Sequence, residues 1–179
     1  YTFNNEYKDY GWYIILKNKK IGLVMDAGSS PNAKYTQYYQ SGALSFEIIS
    51  NGKTLITNCG YYKKNNQNLN KISKSSAVHS TLIIDDNSSC KFTKKRDKLI
   101  LKTGLKITQR NSVCEKNYWK ISAAHDGYFK KFKSIHERNI EFFPEQMKFV
   151  VNDKIIRKNN NHTFKFDIRF HLKTNIKLM

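Results

Sequence analysis

Short apolar runs separated by turn residues make up most of this chain, and the clearest two lie on either side of Asn51-Gly52. Both residues of that pair tolerate a positive φ, which a two-residue hairpin turn requires. Ala43–Ser50 and Lys53–Asn58 are therefore predicted to pair as an antiparallel hairpin. A third run opens at His79 after a polar loop, and we expect it to place that histidine close to the end of the hairpin.

Further strands are predicted wherever similar apolar runs recur, at intervals of roughly 8–15 residues. They are Tyr10–Lys17, Ile21–Asp26, Lys98–Lys102, Leu105–Val113, Trp119–Asp126, Ile135–Phe143, Gln146–Val151 and Thr163–Leu172. No window combines helical apolar spacing with helix caps. The pattern therefore predicts an all-β protein, an antiparallel β-sandwich of roughly ten or more strands.

The last predicted strand has the most regular alternation of apolar and polar residues. Its apolar face is interpreted as part of the core rather than as a surface on which sugars stack, and consists of Phe164, Phe166, Ile168 and Phe170. Arg169 and His171 share the opposite face. Two polar stretches, Lys63–Lys74 and Lys154–His162, are predicted to be surface loops.

The chain has 32 Lys and Arg residues against 14 Asp and Glu, and its net charge of +18 comes mostly from lysine. Such a charge favours an anionic partner: nucleic acid, an acidic lipid surface or an acidic polysaccharide. Biased base composition in the gene explains it equally well, because the lysines are scattered rather than gathered in one block. Nucleic acid is disfavoured, since arginine is scarce and the aromatic residues alternate with polar ones as core residues do.

Cysteine content and length limit the remaining classes. The three cysteines, Cys59, Cys90 and Cys114, include no CxxC pair and are odd in number, so neither a zinc ribbon nor a disulfide framework is predicted. No run approaches the ~20 apolar residues of a membrane-spanning helix. We expect one domain over residues 1–179, and, because the chain starts at Tyr1 and ends directly after a strand-like run, a segment of a longer protein.

Several pieces of the chain, in this order, resemble the β-sandwich domain of the heparinase II/III-like polysaccharide lyases. They are VMDAG at Val24–Gly28, GALSFE at Gly42–Glu47, LITNCG at Leu55–Gly60, SSAVHSTLIIDD at Ser75–Asp86, HDGY at His125–Tyr128, IHERNI at Ile135–Ile140 and DIRFHL at Asp167–Leu172. Each piece is short, but the ordered set covers nearly the whole chain. The resemblance implies a C-terminal sandwich that is normally preceded by an α/α toroid, which this chain lacks.

The resemblance also implies a reaction, the β-elimination of a uronate-containing glycan. A base removes the proton α to the carboxylate, an acid protonates the departing glycosidic oxygen, and stabilisation of the carboxylate's developing charge assists both. A tyrosine and a histidine are the usual acid and base, with an amide that holds the carboxylate. Most of these groups come from the toroid, while the sandwich contributes a histidine and often a structural metal site.

The metal pattern of the family is largely absent from this sequence. Where metal-binding members have His-x-His, this chain has Tyr38 and Gln40; where they have an aspartate before a glycine, it has Asn58. Only the last histidine remains, as His79. Because zinc generally requires three or four imidazole, thiolate or carboxylate donors, no bound zinc and no other cofactor is predicted.

The resemblance nominates four residues for a site, and each has an alternative interpretation. His79 and Tyr38 are the predicted catalytic residues, although His79 could simply bond to the hairpin end and Tyr38 could be a loop aromatic. Gln40 and Asn58 are predicted to orient substrate, or else to satisfy loop backbone groups.

Two further residues, His136 and Arg138, lie two apart on one predicted strand and so point to the same face. They are predicted to bind a sugar carboxylate, which arginine can grip with two hydrogen bonds. The alternative is an exposed face paired with neighbouring glutamates. His125 is expected to have a structural role at a turn.

The primary hypothesis is the sandwich domain of a lyase that cleaves acidic glycans, such as glycosaminoglycan-like or alginate-like polysaccharides. The toroid of the same chain would be its intramolecular partner, and such a substrate would place the protein in the periplasm or cell envelope. The alternatives are a non-catalytic carbohydrate-binding module derived from the family and a polyanion-binding surface without sugar specificity.

Overall fold

A computed structural model of the chain describes residues 5–62, 66–96, 98–158, 163–174 and 176. Within these ranges the chain forms fourteen β-strands and two short α-helices. Every pair of neighbouring strands in these ranges is antiparallel. In the described ranges no helix is long and apolar enough to cross a membrane. The predicted all-β class and antiparallel sandwich are confirmed.

One face of the sandwich is a six-stranded sheet in the order β1-β2-β3-β4-β5-β14. Its strands are β1 (Glu6–Tyr10), β2 (Tyr13–Lys17), β3 (Ile21–Asp26), β4 (Phe46–Ser50), β5 (Lys53–Thr57) and β14 (His171–Leu172). The first five are neighbours in the sheet in the same order as in the sequence, with a long loop, residues 27–45, between β3 and β4. The last strand, β14, is added from the C-terminal end.

The opposing face is a four-stranded sheet in the order β12-β11-β10-β9. Its strands are β9 (Ile107–Cys114), β10 (Trp119–His125), β11 (Ser134–Phe143) and β12 (Lys148–Arg157). Two smaller sheets and two helices complete the fold, with β6 (Leu82–Ile84) pairing with β13 (Phe166–Ile168), β7 (Lys91–Lys95) pairing with β8 (Lys98–Thr103), and helices α1 (Gln67–Ser73) and α2 (Phe129–Phe132).

The hydrophobic core lies between the two large sheets. Inward-facing residues of β2, β3 and β4 pack there against those of β10 and β11, and Leu16, Leu23, Phe46, Trp119 and Phe142 are fully buried. The burial pattern of β11 alternates strictly along its ten residues, as expected for a strand with one face on a core. Apolar residues alone do not mark this buried face, because it carries Ser134, His136 and Arg138 beside Ile140 and Phe142.

The predicted central hairpin is confirmed. Asn51 and Gly52 both have positive φ, at 47° and 75°, and Ser50 pairs with Lys53 across them. The register shifts between Ile48 and Ile49, where a bulge interrupts the ladder.

Two predicted elements near the N-terminal end and the site are wrong in their bounds. The predicted strand Tyr10–Lys17 is interrupted by a turn at Gly11-Trp12, so that β1 and β2 form a hairpin. The strand predicted to open at His79 begins only at Leu82, because a short 3-10 turn, Ser76–Val78, precedes the histidine.

The predicted polar loops and the C-terminal stripe also differ from the structure. Helix α1, whose N-cap Asn66 accepts a hydrogen bond from the backbone N–H of Leu69, occupies most of the loop predicted at Lys63–Lys74; residues 63–65 lie outside the described ranges. Strand β12 continues to Arg157, into the predicted loop Lys154–His162, of which 159–162 are not described. The predicted core stripe is wrong, because Phe166 and Ile168 on β13 and Phe170 between β13 and β14 are 39–54% exposed.

A buried charged cluster joins the two large sheets. Arg138 and Asp153 are cross-strand partners, and the guanidinium donates from Nε and Nη2 to the two carboxylate oxygens at 2.8 and 2.9 Å. Its Nη1 donates to the backbone carbonyls of Leu44 and Ser80, at 2.8 and 2.6 Å. All four N–H···O contacts are made without exposure to solvent, so the arginine connects β11 to the segments that flank the other sheet.

Two histidines extend this cluster along the sheet. Gly127 donates its backbone N–H to Nδ1 of His125, so the neutral ring carries its proton on Nε2, which lies 3.2 Å from Nδ1 of His136. That arrangement leaves the proton of His136 on Nε2, which donates to Asp153 at 2.6 Å. Burial lowers the pKa of both imidazoles. Burial alone would raise the pKa of Asp153, but the hydrogen bond from His136 and the positive charge of Arg138 outweigh it, so this pKa is lowered.

Removing the buried carboxylate should destabilise the sandwich strongly. In Asp153→Asn, Arg138 becomes a buried cation without a counter-ion, and we expect the free energy of unfolding to fall by about 3–5 kcal/mol. Asp167→Asn is the matched control, because Asp167 pairs with Arg169 at 3.6 Å on the exposed strand β13 and should lose less than about 1 kcal/mol. Urea unfolding of both variants measures the difference, and equal losses would contradict the assigned role of Asp153.

Candidate functional site

A cavity of about 640 Å³ opens beside the end of the central hairpin. Its walls come from the β1–β2 turn, the end of β3, the loop that follows β3, and the ends of β4 and β5. We call it the hairpin cavity. Tyr38, Gln40, Asn58 and His79 all line it, so the structure brings together the four positions that the sequence nominated from three separate segments.

Asn58 is held by hydrogen bonds on every side. Its Oδ1 accepts from the backbone N–H of Ser80 at 2.8 Å, and its Nδ2 and its backbone N–H both donate to Oε1 of Glu47, at 3.3 and 3.2 Å. An amide fits this position because it has both a donor and an acceptor. A carboxylate there would face the carboxylate of Glu47, which explains why an asparagine suits this chain.

His79 lies deeper, with 3% of its surface exposed. Its Nε2 is 3.2 Å from the carbonyl oxygen of Ser73, at the end of α1 rather than at the hairpin end. Because a carbonyl only accepts, Nε2 carries the proton and Nδ1 has the lone pair, on the side of Gly42 at the cavity wall. Burial lowers the pKa of this imidazole, and the nearby His171 lowers it further, so the ring is neutral near pH 7.

Tyr38 and Gln40 lie on the loop that borders the cavity. Tyr38 is 64% exposed and packs edge-on against Tyr61, while Nε2 of Gln40 donates to the carbonyl of Gly60 at 2.6 Å. The loop is anchored by Lys74, whose ammonium donates to the carbonyls of Gln37 and Tyr39 at 2.7 and 2.8 Å. Burial lowers the pKa of Lys74 to about 8.

Trp12, Asp26 and Glu47 are among the lining residues of this cavity that sequence reasoning did not identify. Burial raises the pKa of Asp26 to about 6, against a hydrogen bond from the backbone N–H of Gly28. Asp26 and Glu47 both lie within sequence pieces that carry the family resemblance, which was the available signal. Trp12 was not identified because the sequence analysis placed it inside a continuous strand instead of at a turn.

Trp12 stands at the mouth of the cavity with 65% of its surface exposed. Its carbonyl accepts from the backbone N–H of Ala27 at 3.0 Å, which fixes the β1–β2 turn over the end of β3. A Cβ at Gly28 would lie 2.6 Å from Cβ of Trp12, so only glycine permits this approach.

The residues of the hairpin cavity do not suit zinc. Of the family's four ligand positions, His79 alone keeps an imidazole, and its Nε2 already donates to Ser73. The Oδ1 of Asn58 is occupied by Ser80, and the described ranges contain no group of three or more His, Cys, Asp or Glu that could hold a metal ion. No step of a reaction is therefore assigned to a metal.

His136 and Arg138 lie elsewhere, inside the sandwich, and both are 0% exposed. The alternative of an exposed face is wrong, and the predicted binding of a sugar carboxylate does not fit either, because neither side chain is accessible in this structure. Their donors are directed at Asp153, Leu44 and Ser80 instead. The signal missed was the length of β12, because the strand predicted to stop at Val151 in fact carries Asp153 opposite Arg138.

Comparison with known protein families and solved structures identifies the family and the fold. The family described as "Heparinase II/III-like, C-terminal" matches residues 4–179. The chain belongs to this family. No protein among curated sequences matches significantly.

Two solved structures show the same fold. Heparan sulfate lyase HepC from Pedobacter heparinus is 16% identical, with a TM-score of 0.68 over 97% of this chain and 25% of that one. The heparinase III-BT4657 gene product is also 16% identical, with a TM-score of 0.60 over 85% of this chain and 22% of that one. The chain thus spans about a quarter of the length of these proteins.

The contact between Asn58 and Glu47 can be tested by charge substitution. In Asn58→Asp, two carboxylates meet where an amide now donates, and we expect unfolding free energy to fall by about 1–3 kcal/mol. Adding Glu47→Gln restores a donor opposite the new carboxylate, so the double variant should recover most of the loss. Urea unfolding of both single variants and the double variant completes the cycle. If the two changes in unfolding free energy simply add, the contact between Asn58 and Glu47 does not contribute to stability.

Proposed function

We propose that this chain is the β-sandwich domain of a polysaccharide lyase that cleaves acidic, uronate-containing glycans by β-elimination. The observation that carries the proposal is the convergence of Tyr38, Gln40, Asn58 and His79 on one cavity. Membership of the heparinase II/III-like family, and the fold shared with two lyases, support it. The domain would act within a longer chain, with the remaining catalytic groups supplied by an α/α toroid.

Each group has a chemical property that suits a part of the reaction. The neutral His79, with its lone pair on Nδ1, can accept a proton from a substrate that reaches the wall at Gly42. The phenol of Tyr38 is exposed at the cavity and can donate a proton to a departing oxygen. The amide of Gln40, fixed through its Nε2, can help to orient the substrate.

The exposed aromatic ring of Trp12 suits sugar binding as well. A ring at the mouth of a polar cavity offers an apolar face against which a pyranose can pack, while nearby side chains bond its hydroxyls. Such a substrate would be met outside the cytoplasm, so we also propose that the protein works in the periplasm or cell envelope.

The alternative is a carbohydrate-binding module without activity. It is favoured by one observation: Asn58 and His79 are already engaged by Glu47, Ser80 and Ser73, so their polar atoms stabilise the cavity itself. Both functions predict glycan binding, and product formation separates them.

Activity is tested on the full-length protein with a panel of uronate polysaccharides. Elimination creates an unsaturated uronate that absorbs in the ultraviolet, and we expect Tyr38→Phe and His79→Gln to reduce its rate about 100-fold or more. Tyr35→Phe is a matched control, because Tyr35 is also 64% exposed but does not line the cavity.

Turnover that survives both cavity substitutions would overturn the assigned roles. Full-length protein that binds these glycans and releases no unsaturated product would favour the binding module instead. Circular dichroism and urea unfolding of each variant establish that a lost activity does not reflect a lost fold.

Binding through the aromatic rim is tested separately. Trp12→Ala should weaken oligosaccharide binding by the full-length protein about tenfold, because an aromatic contact of about 1 kcal/mol or more is lost. Tyr10→Ala is the control, since Tyr10 is 80% exposed on the neighbouring strand and does not line the cavity. Isothermal titration calorimetry measures both, and equal affinities would remove Trp12 from the sugar site.

A further inference from the structure

A second cavity, of about 360 Å³, lies beside α2 and shares no lining residue with the hairpin cavity. Two of its lysines, Lys91 and Lys102, come from the β7–β8 hairpin, and two more, Lys130 and Lys131, come from α2. We call it the lysine pocket. Two pairs of lysines from separate parts of the chain therefore lie around one small volume.

The lysine pocket contains no compensating acid. None of its lining residues is Asp or Glu, and none of the ion pairs found in the described ranges includes Lys91, Lys102, Lys130 or Lys131. The hairpin cavity has the opposite character, with Asp26 and Glu47 in its lining and no Lys or Arg. Like charges around one volume repel each other, and a bound anion would remove that repulsion.

The pocket has a shaped floor rather than a flat surface. Ser88 and Ser89 form part of it. A Cβ at Gly127 would lie 2.6 Å from the carbonyl oxygen of Ser89, so these two backbone segments are in close contact. Tyr128 is buried beneath, with its hydroxyl donating to the carbonyl of Leu82 at 2.8 Å. The cations thus surround a floor set by close packing.

One wall is also preorganised. The ammonium of Lys131 donates to Oδ1 of Asn87 at 2.8 Å and lies 5.0 Å from the ring centroid of Phe132. Its position is therefore defined before any ligand arrives, which lowers the entropic cost of binding.

We propose that the lysine pocket is an anion site that binds a sulfate or carboxylate group of an acidic polysaccharide. Lysines offer point charges that suit tetrahedral and planar oxyanions alike. Because no lysine or arginine lines the hairpin cavity, a polyanion must be attracted by other surfaces of the protein. The lysine pocket is such a surface, since it combines four cations with a defined shape.

The aromatic residues of the pocket favour a polysaccharide over a nucleic acid. Single-stranded nucleic acids bind through exposed rings on which bases stack. The aromatic rings in this lining are those of Tyr128, which is 1% exposed, and Phe132, which is half-buried under Lys131. Neither offers a free face of that kind.

The test compares two charge-reversed forms of the full-length protein. The pocket variant, Lys102→Glu with Lys130→Glu, changes one lysine on each wall. The control, Lys94→Glu with Lys148→Glu, makes the same change of net charge at exposed lysines outside the pocket. Affinities for a heparin oligosaccharide, an unsulfated uronate oligosaccharide, inorganic sulfate and single-stranded DNA are measured at two salt concentrations.

We expect the pocket variant to bind one or both oligosaccharides about tenfold more weakly, while the control stays within about twofold of the parent. Inorganic sulfate should compete with the oligosaccharide in the parent and not in the pocket variant. Equal losses in the two variants would overturn the proposal, because net charge alone would then explain binding. A selective loss for DNA alone would overturn it in favour of nucleic acid.

The result is independent of the lyase proposal. Selective loss of binding with no unsaturated product from any substrate would support the lysine pocket while rejecting the activity. Turnover with unchanged oligosaccharide affinity in the pocket variant would reject the pocket and leave the activity intact.

Discussion

The buried contact between Arg138 and Asp153 joins the two large sheets. The guanidinium is anchored in the four-stranded sheet by the carboxylate across the strand, and it reaches the other layer through the carbonyls of Leu44 and Ser80. The backbone N–H of Ser80 in turn donates to Asn58 in the hairpin cavity. A buried charge with all its partners in place therefore connects the register of the two sheets to the geometry of the site.

Charged side chains are distributed differently around the hairpin cavity and the lysine pocket. The hairpin cavity is lined by two carboxyl groups and by no lysine or arginine, and burial raises the pKa of Asp26 there to about 6. The lysine pocket holds four cations and no acid. A net charge of +18 thus does not mean that every binding surface is basic, since position decides how each charge acts on a polyanion.

The fold has tolerated extensive change in sequence. Solved relatives with 16% identity share it, because alternating burial and hairpin geometry can be satisfied by many apolar residues. The polar cavity is less permissive, since each donor needs an acceptor. Asn58 suits Glu47 and Ser80 here, and an aspartate at that position would need a different neighbour.

Local turn conformation and period-two alternation were enough to predict the all-β class, the Asn51-Gly52 hairpin and several strands with one buried face. Shared motifs also indicated Tyr38, Gln40, Asn58 and His79 as neighbours. Tertiary structure alone decided the rest. Arg138 and His136 are internal because Asp153 lies opposite Arg138 on a strand longer than its apolar pattern. Phe166, Ile168 and Phe170 stay 39–54% exposed, because no sheet in the described ranges packs over them. Alternation states which residues share a face; what packs against that face depends on partners distant in the chain.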